Sequence, residues 1–284
     1  MAEAARNVAA SGARPMAATN CLNFGSPEKA EVMWQFSEVI DGLTVACNEL
    51  GTPITGGNVS FYNETLGKSI YPTPVIGVLG ILEDASRVLK IAFRREGDLI
   101  ILFDAARSTD RATATLAQEF SSSEYSKTIA GIVAGEPPAV VLAAEKRLQE
   151  CLVTLAASGA VRSAHDVSDG GIAVALAECC CAASSQHAAL QLGAQINLPE
   201  ESCPAEYALF GERGARTVVS AAPTSLARVL EIARQCGVAA HRIGQVIRGD
   251  AFRIEYKGSA VIESSVAKLH DAWAHSFERL LAQR

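Results

Sequence analysis

Past residue 98 the chain repeatedly switches hydrophobic period, and that switching restricts it to layered helix-and-sheet architectures. DLIILFD (98–104) is an apolar run of strand length. AVVLAAEKRLQECLVTLAASG (139–159) carries apolar residues at helical spacing and stops at a glycine. Residues 173–181 read as a second helix, ARTVVSA (215–221) as a strand and 225–236 as a third helix. HRIGQVI and AFRIEY then predict a hairpin turning at Arg248, Gly249 and Asp250. The end, 264–281, places Val266, Leu269, Trp273, Phe277 and Leu280 on one stripe, which predicts a helix with Trp273 in the core.

The first third reads differently. MAEAARNVAASGARPM reads as an amphipathic helix beginning almost at once. Residues 27–50 carry Val32, Phe36, Val39, Leu43 and Cys47 at three- and four-residue steps, so a helix with one apolar face is expected. Ser26 is its expected N-cap and Pro27 its first residue. Residues 75–82 read as a buried strand, and the charged stretch 84–95 as the boundary between two domains, 1–92 and 93–284. Helices mixed with hairpin-like strands predict α+β layers rather than a doubly wound parallel sheet.

Composition narrows the function. A hydrophobic content of 49% with 20% charged residues suits a globular protein with a real core, and no apolar run approaches a membrane span. A net charge of −6 argues against a nucleic-acid partner, because phosphate neutralisation needs a positive surface. None of the eight cysteines forms a C-x-x-C pair, which predicts small buried thiols in a reducing cytoplasm rather than a zinc or disulfide framework.

Four stretches could carry chemistry. In ATNCLNFGSPEKAE, Asn20 and Asn23 precede a predicted helix N-terminus, where free N–H groups suit phosphate; asparagine is equally a turn residue. In ITGGNVSFYN, Gly56 and Gly57 allow close approach to the main chain, Asn58 offers a carbonyl oxygen to a hard cation and Ser60 a hydroxyl; a tight turn explains the pattern as well. In SAHDVSDGGIAVALAE, His165, Asp166, Ser168 and Asp169 crowd the start of a helix. Two carboxylates there could hold Mg²⁺ with phosphate oxygens, or Asp169 or Ser168 could be a cap. In LFGERGARTVVS, Glu212, Arg213 and Arg216 read as an exposed charged turn before a strand.

Together, TNCLNFGSPEKAEVMWQ, TPITGGNVSFYNET, IYPTPVIGVLG, SAHDVSDGGIAVALAE and LFGERGARTVVS resemble, in order, the large-subunit family of phosphoribosylformylglycinamidine synthase, within the AIR-synthase-like superfamily. The resemblance runs over essentially the whole chain and is to the second of that subunit's two related halves. It implies an AIR-synthase-like two-domain module: a partial N-terminal ATP-binding α+β domain, lacking its first strand, followed by an α/β C-terminal domain. The activity it implies is an ATP-dependent carbon–nitrogen ligation in purine biosynthesis, with ATP and Mg²⁺ as cofactors, in which an amide becomes an amidine.

Carried over by position, the resemblance implies nucleotide contacts at Gly57 and Asn20, a Mg²⁺ ligand at Asn58 and a substrate contact at Ser60. It assigns no catalytic residue to this half, and makes His165, Asp166 and Glu212 candidates for a secondary, pseudo-symmetric site. Three positions depart from the family: Asn20 where many members have Asp, Gly214 where others have Gln, and SSSEYS in place of a glycine-rich segment. The implied partners are the N-terminal half of the enzyme, a glutaminase subunit and a small accessory subunit, in the cytoplasm. The alternatives are a truncated non-catalytic module and a homodimeric ATP-binding enzyme of the superfamily.

Overall fold

The computed structural model describes residues 1–106, 113–186 and 191–282. Its first helix, α1 (Ala2–Ala10), leads directly into strand β1 (Arg14–Asn23). Helix α2 (Ala30–Leu50) then carries the chain back over the sheet to β2 (Ile54–Ser60), which lies parallel to β1, as a helical crossover requires. Gly51 ends α2 in the left-handed conformation, φ 67°. A two-residue ribbon, β3 (Glu64–Thr65) with β4 (Lys68–Ser69), precedes β5 (Thr73–Ile81), which runs antiparallel to β1. The sheet order is β2-β1-β5.

One face of this sheet is covered. Leu22 of β1 and Phe24 meet Val32, Phe36 and Leu43 of α2, with Phe36 edge-on between the rings of Phe24 and Phe61. The other face is bare. Val75, Leu79 and Ile81 alternate along it and are 55%, 68% and 53% exposed, and every residue of β2 except Ser60 is exposed.

The second sheet is larger and covered on both faces. Strand β6 (Leu99–Asp104) is buried at all six positions. It is followed by α3 (Thr113–Ser121), α4 (Glu124–Ala130), α5 (Leu142–Ser158), β7 (Ser163–Asp166), α6 (Gly171–Gln186), β8 (Leu192–Asn197) and α7 (Ala205–Phe210). Then come β9 (Arg216–Ala221), α8 (Leu226–Gln235), β10 (Ala239–Arg248), β11 (Ala251–Tyr256), β12 (Ser259–Ser265), α9 (Val266–Ala274) and α10 (Ser276–Ala282). The order is β12-β11-β8-β10-β6-β9-β7, antiparallel except for the parallel pair β8–β11. Ile100, Leu102, Val218 and Ile254 face α6, whereas Ile101, Phe103 and Val219 face α5 and α8. Helix α1 joins that second core through Ala9 and Ala10. These layers bear out the α+β reading. Among the described residues no helix is long and apolar enough to cross a membrane.

Several local expectations are corrected. Helix α2 starts at Ala30, because Ser26 and Pro27 form a separate turn in which the Ser26 hydroxyl accepts from the Glu28 amide and the Ser26 carbonyl from Lys29. Strands β10 and β11 do not pair; β8 enters between them, and the hairpin forms between β11 and β12. The C-terminal helix breaks at His275. Val266 and Leu269 seat on the core, but among the described residues no element buries the stripe beyond them, and Trp273 and Phe277 are 68% and 71% exposed.

Candidate functional site

ITGGNVSFYN is not a turn: its first seven residues form edge strand β2. Nor do Asn20 and Asn23 sit at a helix start; both are on β1, the central strand. The parallel register sets Asn20 beside Gly57, Cys21 beside Asn58 and Asn23 beside Ser60. Across β1, Cys21 faces Val75 and Asn23 faces Thr73. Residues in register share a face, and strand side chains alternate, so Asn58 and Ser60 both stand on the bare face of the sheet, about 6.7 Å apart along the strand. That face is apolar along β5 and polar along β1 and β2.

Each implied residue has a defined setting there. A Cβ added to Gly57 would lie 2.0 Å from the Asn20 Oδ1 atom and 2.4 Å from the Asn20 carbonyl oxygen, so the Asn20 carboxamide lies directly across a position only glycine can hold. Gly56, by contrast, has nothing within 4 Å of such an atom, and its carbonyl accepts from the Thr19 hydroxyl at 3.0 Å. Ser60 is fixed from below: Asn63 Nδ2 donates to its carbonyl at 3.0 Å and lies 3.1 Å from its hydroxyl oxygen. The Asn23 carboxamide ties β1 to β5 by donating to the Thr73 carbonyl at 3.2 Å. Gly57→Ala is therefore expected to lower stability by about 1–3 kcal/mol, the usual result of overpacking against fixed backbone, while Gly56→Ala changes it little. Urea denaturation of the two variants checks this.

Asn58 by itself does not make a magnesium site. That ion is usually held by one or two carboxylates with phosphate oxygens, and no group of three or more His, Cys, Asp or Glu able to hold a metal occurs among the described residues. The chain offers one neutral amide oxygen there. The open space where Gly56 lacks a side chain and the outer edge of β2, which has no ladder partner among the described residues, fit the close approach of a polar ligand.

The secondary candidates lie on β7 and on the loop before β9 and are tied into the protein itself. Asp166, at the end of β7, is buried beside Arg6 of α1, its Oδ2 3.7 Å from Nε. Arg6 in turn bonds Glu145 of α5, and Glu145 Oε1 accepts the Ala215 amide at 2.6 Å. All three charged side chains are buried. His165, the neighbour of Asp166, turns to α6, where its Nε2 lies 2.8 Å from Glu178 Oε2, with Asp166 Oδ1 3.4 Å from Nδ1. Burial would lower the imidazole's pKa, but the hydrogen bonds to Asp166 and Glu178 overcome it and push it up to about 9. Glu212 Oε1 accepts from the Gly170 amide at 2.8 Å and the Glu124 amide at 2.9 Å, and so clamps the starts of α6 and α4. Its loop is not an exposed charged turn. Arg213 is bound to both oxygens of Asp104, and buried Arg216 donates to the Gly211 carbonyl.

Arg6, Glu145 and Glu178 carry no signal in the sequence. Each is a charged residue within a helix, which usually marks the solvated face.

The profile of the AIR synthase related protein N-terminal domain matches residues 1–82, and that of the C-terminal domain matches residues 95–257. Phosphoribosylformylglycinamidine synthase subunit PurL of Moorella thermoacetica is 43% identical over 283 residues, covering 100% of this chain and 36% of that protein. The subunit from Thermobifida fusca is 42% identical over 283 residues, with 100% and 34% covered. The chain thus spans about a third of the length of the curated relatives it matches. Among solved structures, Thermotoga maritima PurL complexed with FGAR aligns with a TM-score of 0.69 at 24% identity, covering 95% of this chain and 42% of that one. The same protein complexed with ATP gives 0.67 at 24%, covering 93% and 39%.

Proposed function

This chain belongs to the AIR synthase related protein family, and from that premise we propose that it supplies one part of a phosphoribosylformylglycinamidine synthase. The observation that carries the reading is the bare sheet face on which Asn58 and Ser60 stand in one row beside the open side-chain space at Gly56. Such a face presents one wall of a site and an apolar margin, Val75, Leu79 and Ile81, against which another protein surface can close. The two domains run 1–92 and 93–284.

In this reading Gly57 and Asn20 approach the nucleotide, Asn58 contributes one oxygen toward Mg²⁺ and Ser60 orients the substrate. ATP supplies the phosphoryl group that activates the amide oxygen of formylglycinamide ribonucleotide; ammonia then displaces phosphate at that carbon and leaves the amidine. The chain's own part is positioning, which is what phosphoryl transfer asks of a protein. Ammonia comes from a glutaminase subunit held in the complex with a small accessory subunit, and the opposite wall from the N-terminal half of the enzyme. In this reading the assembly works in the cytoplasm.

The test is reconstitution. This chain, combined with the remainder of the Moorella relative, is expected to form the amidine from ATP, ammonium and formylglycinamide ribonucleotide, and neither part to do so alone. In the assembled enzyme Asn58→Ala should cut kcat/KM for ATP at limiting Mg²⁺ by about tenfold or more, and Ser60→Ala should act on the KM for the ribonucleotide. Full turnover by this chain alone, or unchanged kinetics in both variants, would overturn the reading.

A further inference from the structure

Between α6 and α9 lies a cavity of about 580 Å³, open to solvent on one side. It exists because α6 turns small residues, Ala173 and Ala177, one helical turn apart, toward α9, while the large rings of Phe210, Phe252 and Trp273 stand around the gap. Its volume falls in the range of small-molecule sites, and its walls are almost wholly apolar. Water in such a space finds few partners, so an apolar occupant is favoured.

The few polar groups give it a sign. Among the described residues no lysine or arginine lines the cavity; its polar lining is His165, Glu178, His270 and Cys181. Glu178 is half-exposed at the mouth, with one oxygen on His165 and, among the described residues, no hydrogen bond on the other. His165 also has Asp166, and Asp166 has Arg6. Of the connected charges, Arg6 and the His165 imidazolium balance two of the three carboxylates Glu145, Asp166 and Glu178. The set thus carries one more negative than positive charge, and Glu178 is its most exposed carboxylate, at the cavity wall.

We propose that this cavity binds a small organic cation, an aromatic or branched apolar body seated among Phe210, Phe252 and Trp273, with its amine on Glu178. The aromatic faces at the mouth favour a cation as well. The proposal stands on the cavity and does not depend on the reading of the β2 strand.

Trp34 lies exposed on α2, so a Trp34→Phe chain leaves Trp273 as its only tryptophan and a reporter at the mouth of the cavity. Three probes share one apolar body and differ in charge: phenethylamine, phenethyl alcohol and hydrocinnamate. Phenethylamine should change Trp273 fluorescence saturably, the alcohol should bind about tenfold more weakly, as loss of a charge-assisted hydrogen bond implies, and hydrocinnamate should not saturate. Glu178→Gln should bring the amine to the level of the alcohol, with the alcohol itself still bound. Ala177→Phe, which fills the cavity from α6, should abolish both. Equal binding of the three probes, no saturation by any, or an amine indifferent to Glu178→Gln would overturn the proposal. The preference of the unaltered cavity for amine over alcohol decides the charge claim even if a variant folds poorly.

Discussion

Replacing Arg6 by methionine is expected to lower the free energy of unfolding by about 3–5 kcal/mol, the usual result of removing one partner from a buried ion pair. Arg6 is 3% exposed and binds Glu145, itself 2% exposed, while its Nε stands 3.7 Å from the equally buried Asp166. Methionine fills most of the volume but leaves the buried Glu145 without its cation and Asp166 with His165 alone. Glu145 also holds the Ala215 amide, so its displacement would carry the 211–215 loop, and with it the Glu212 clamp on α4 and α6. Adding Glu145→Gln to Arg6→Met should restore part of the loss, because the amide keeps an acceptor for Ala215 and removes one stranded charge. Urea denaturation of the three proteins decides the matter. A loss below about 1 kcal/mol for the single variant would mean that the pair behaves as a screened surface bridge, and that alanine packing alone docks α1.

A second large effect follows from His165. Its pKa is pushed up to about 9 in the folded protein from an ordinary 6.5, so the stability it contributes is complete below pH 6.5 and is lost as pH rises through 9. The full span is worth about 3 kcal/mol by linkage, an order-of-magnitude figure. Burial lowers the pKa of the Met1 amine, whose contribution runs the opposite way, gaining as pH climbs toward 8. The raw pH curve therefore mixes the two, and the difference between the parent and His165→Gln isolates the imidazole. That difference should shrink steadily from pH 6.5 to 9 in urea midpoints. Parallel curves would show that His165 is not held charged between Asp166 and Glu178.

What the sequence disclosed divides along a physical line. Strands β6 and β9 and helix α5 were legible because each is decided by its own residues: an unbroken apolar run, or a helical stripe closed by Gly159. The partner of a strand is not local information. AFRIEY alternates in the same way whether it pairs with β10 or accepts β8, so the hairpin expectation failed there. Edge strand β2 looked like a turn because its residues are nearly all exposed, and an exposed strand needs no apolar alternation. The C-terminal stripe fixed a helix but not its burial, which depends on what lies against it. Motif order brought Asn20, Gly57, Asn58 and Ser60 into one family pattern, and the β1–β2 register sets Asn20 beside Gly57 and puts Asn58 and Ser60 together on one face. The Arg6–Glu145 pair was invisible, because it exists only where α1 crosses α5.

The insertion of β8 between two strands that follow each other in the chain also governs how the protein can fold. Leu102 of β6 pairs with Val218 and His241, and both neighbours are made long after β6 itself. Local hairpin closure can build only the β11–β12 edge, so the centre of the large sheet waits for distant segments, a high-contact-order arrangement that folds slowly. On the ribosome, the apolar β6 emerges well before anything can pair with it. That interval is when the chain is most open to misassembly and most in need of a chaperone.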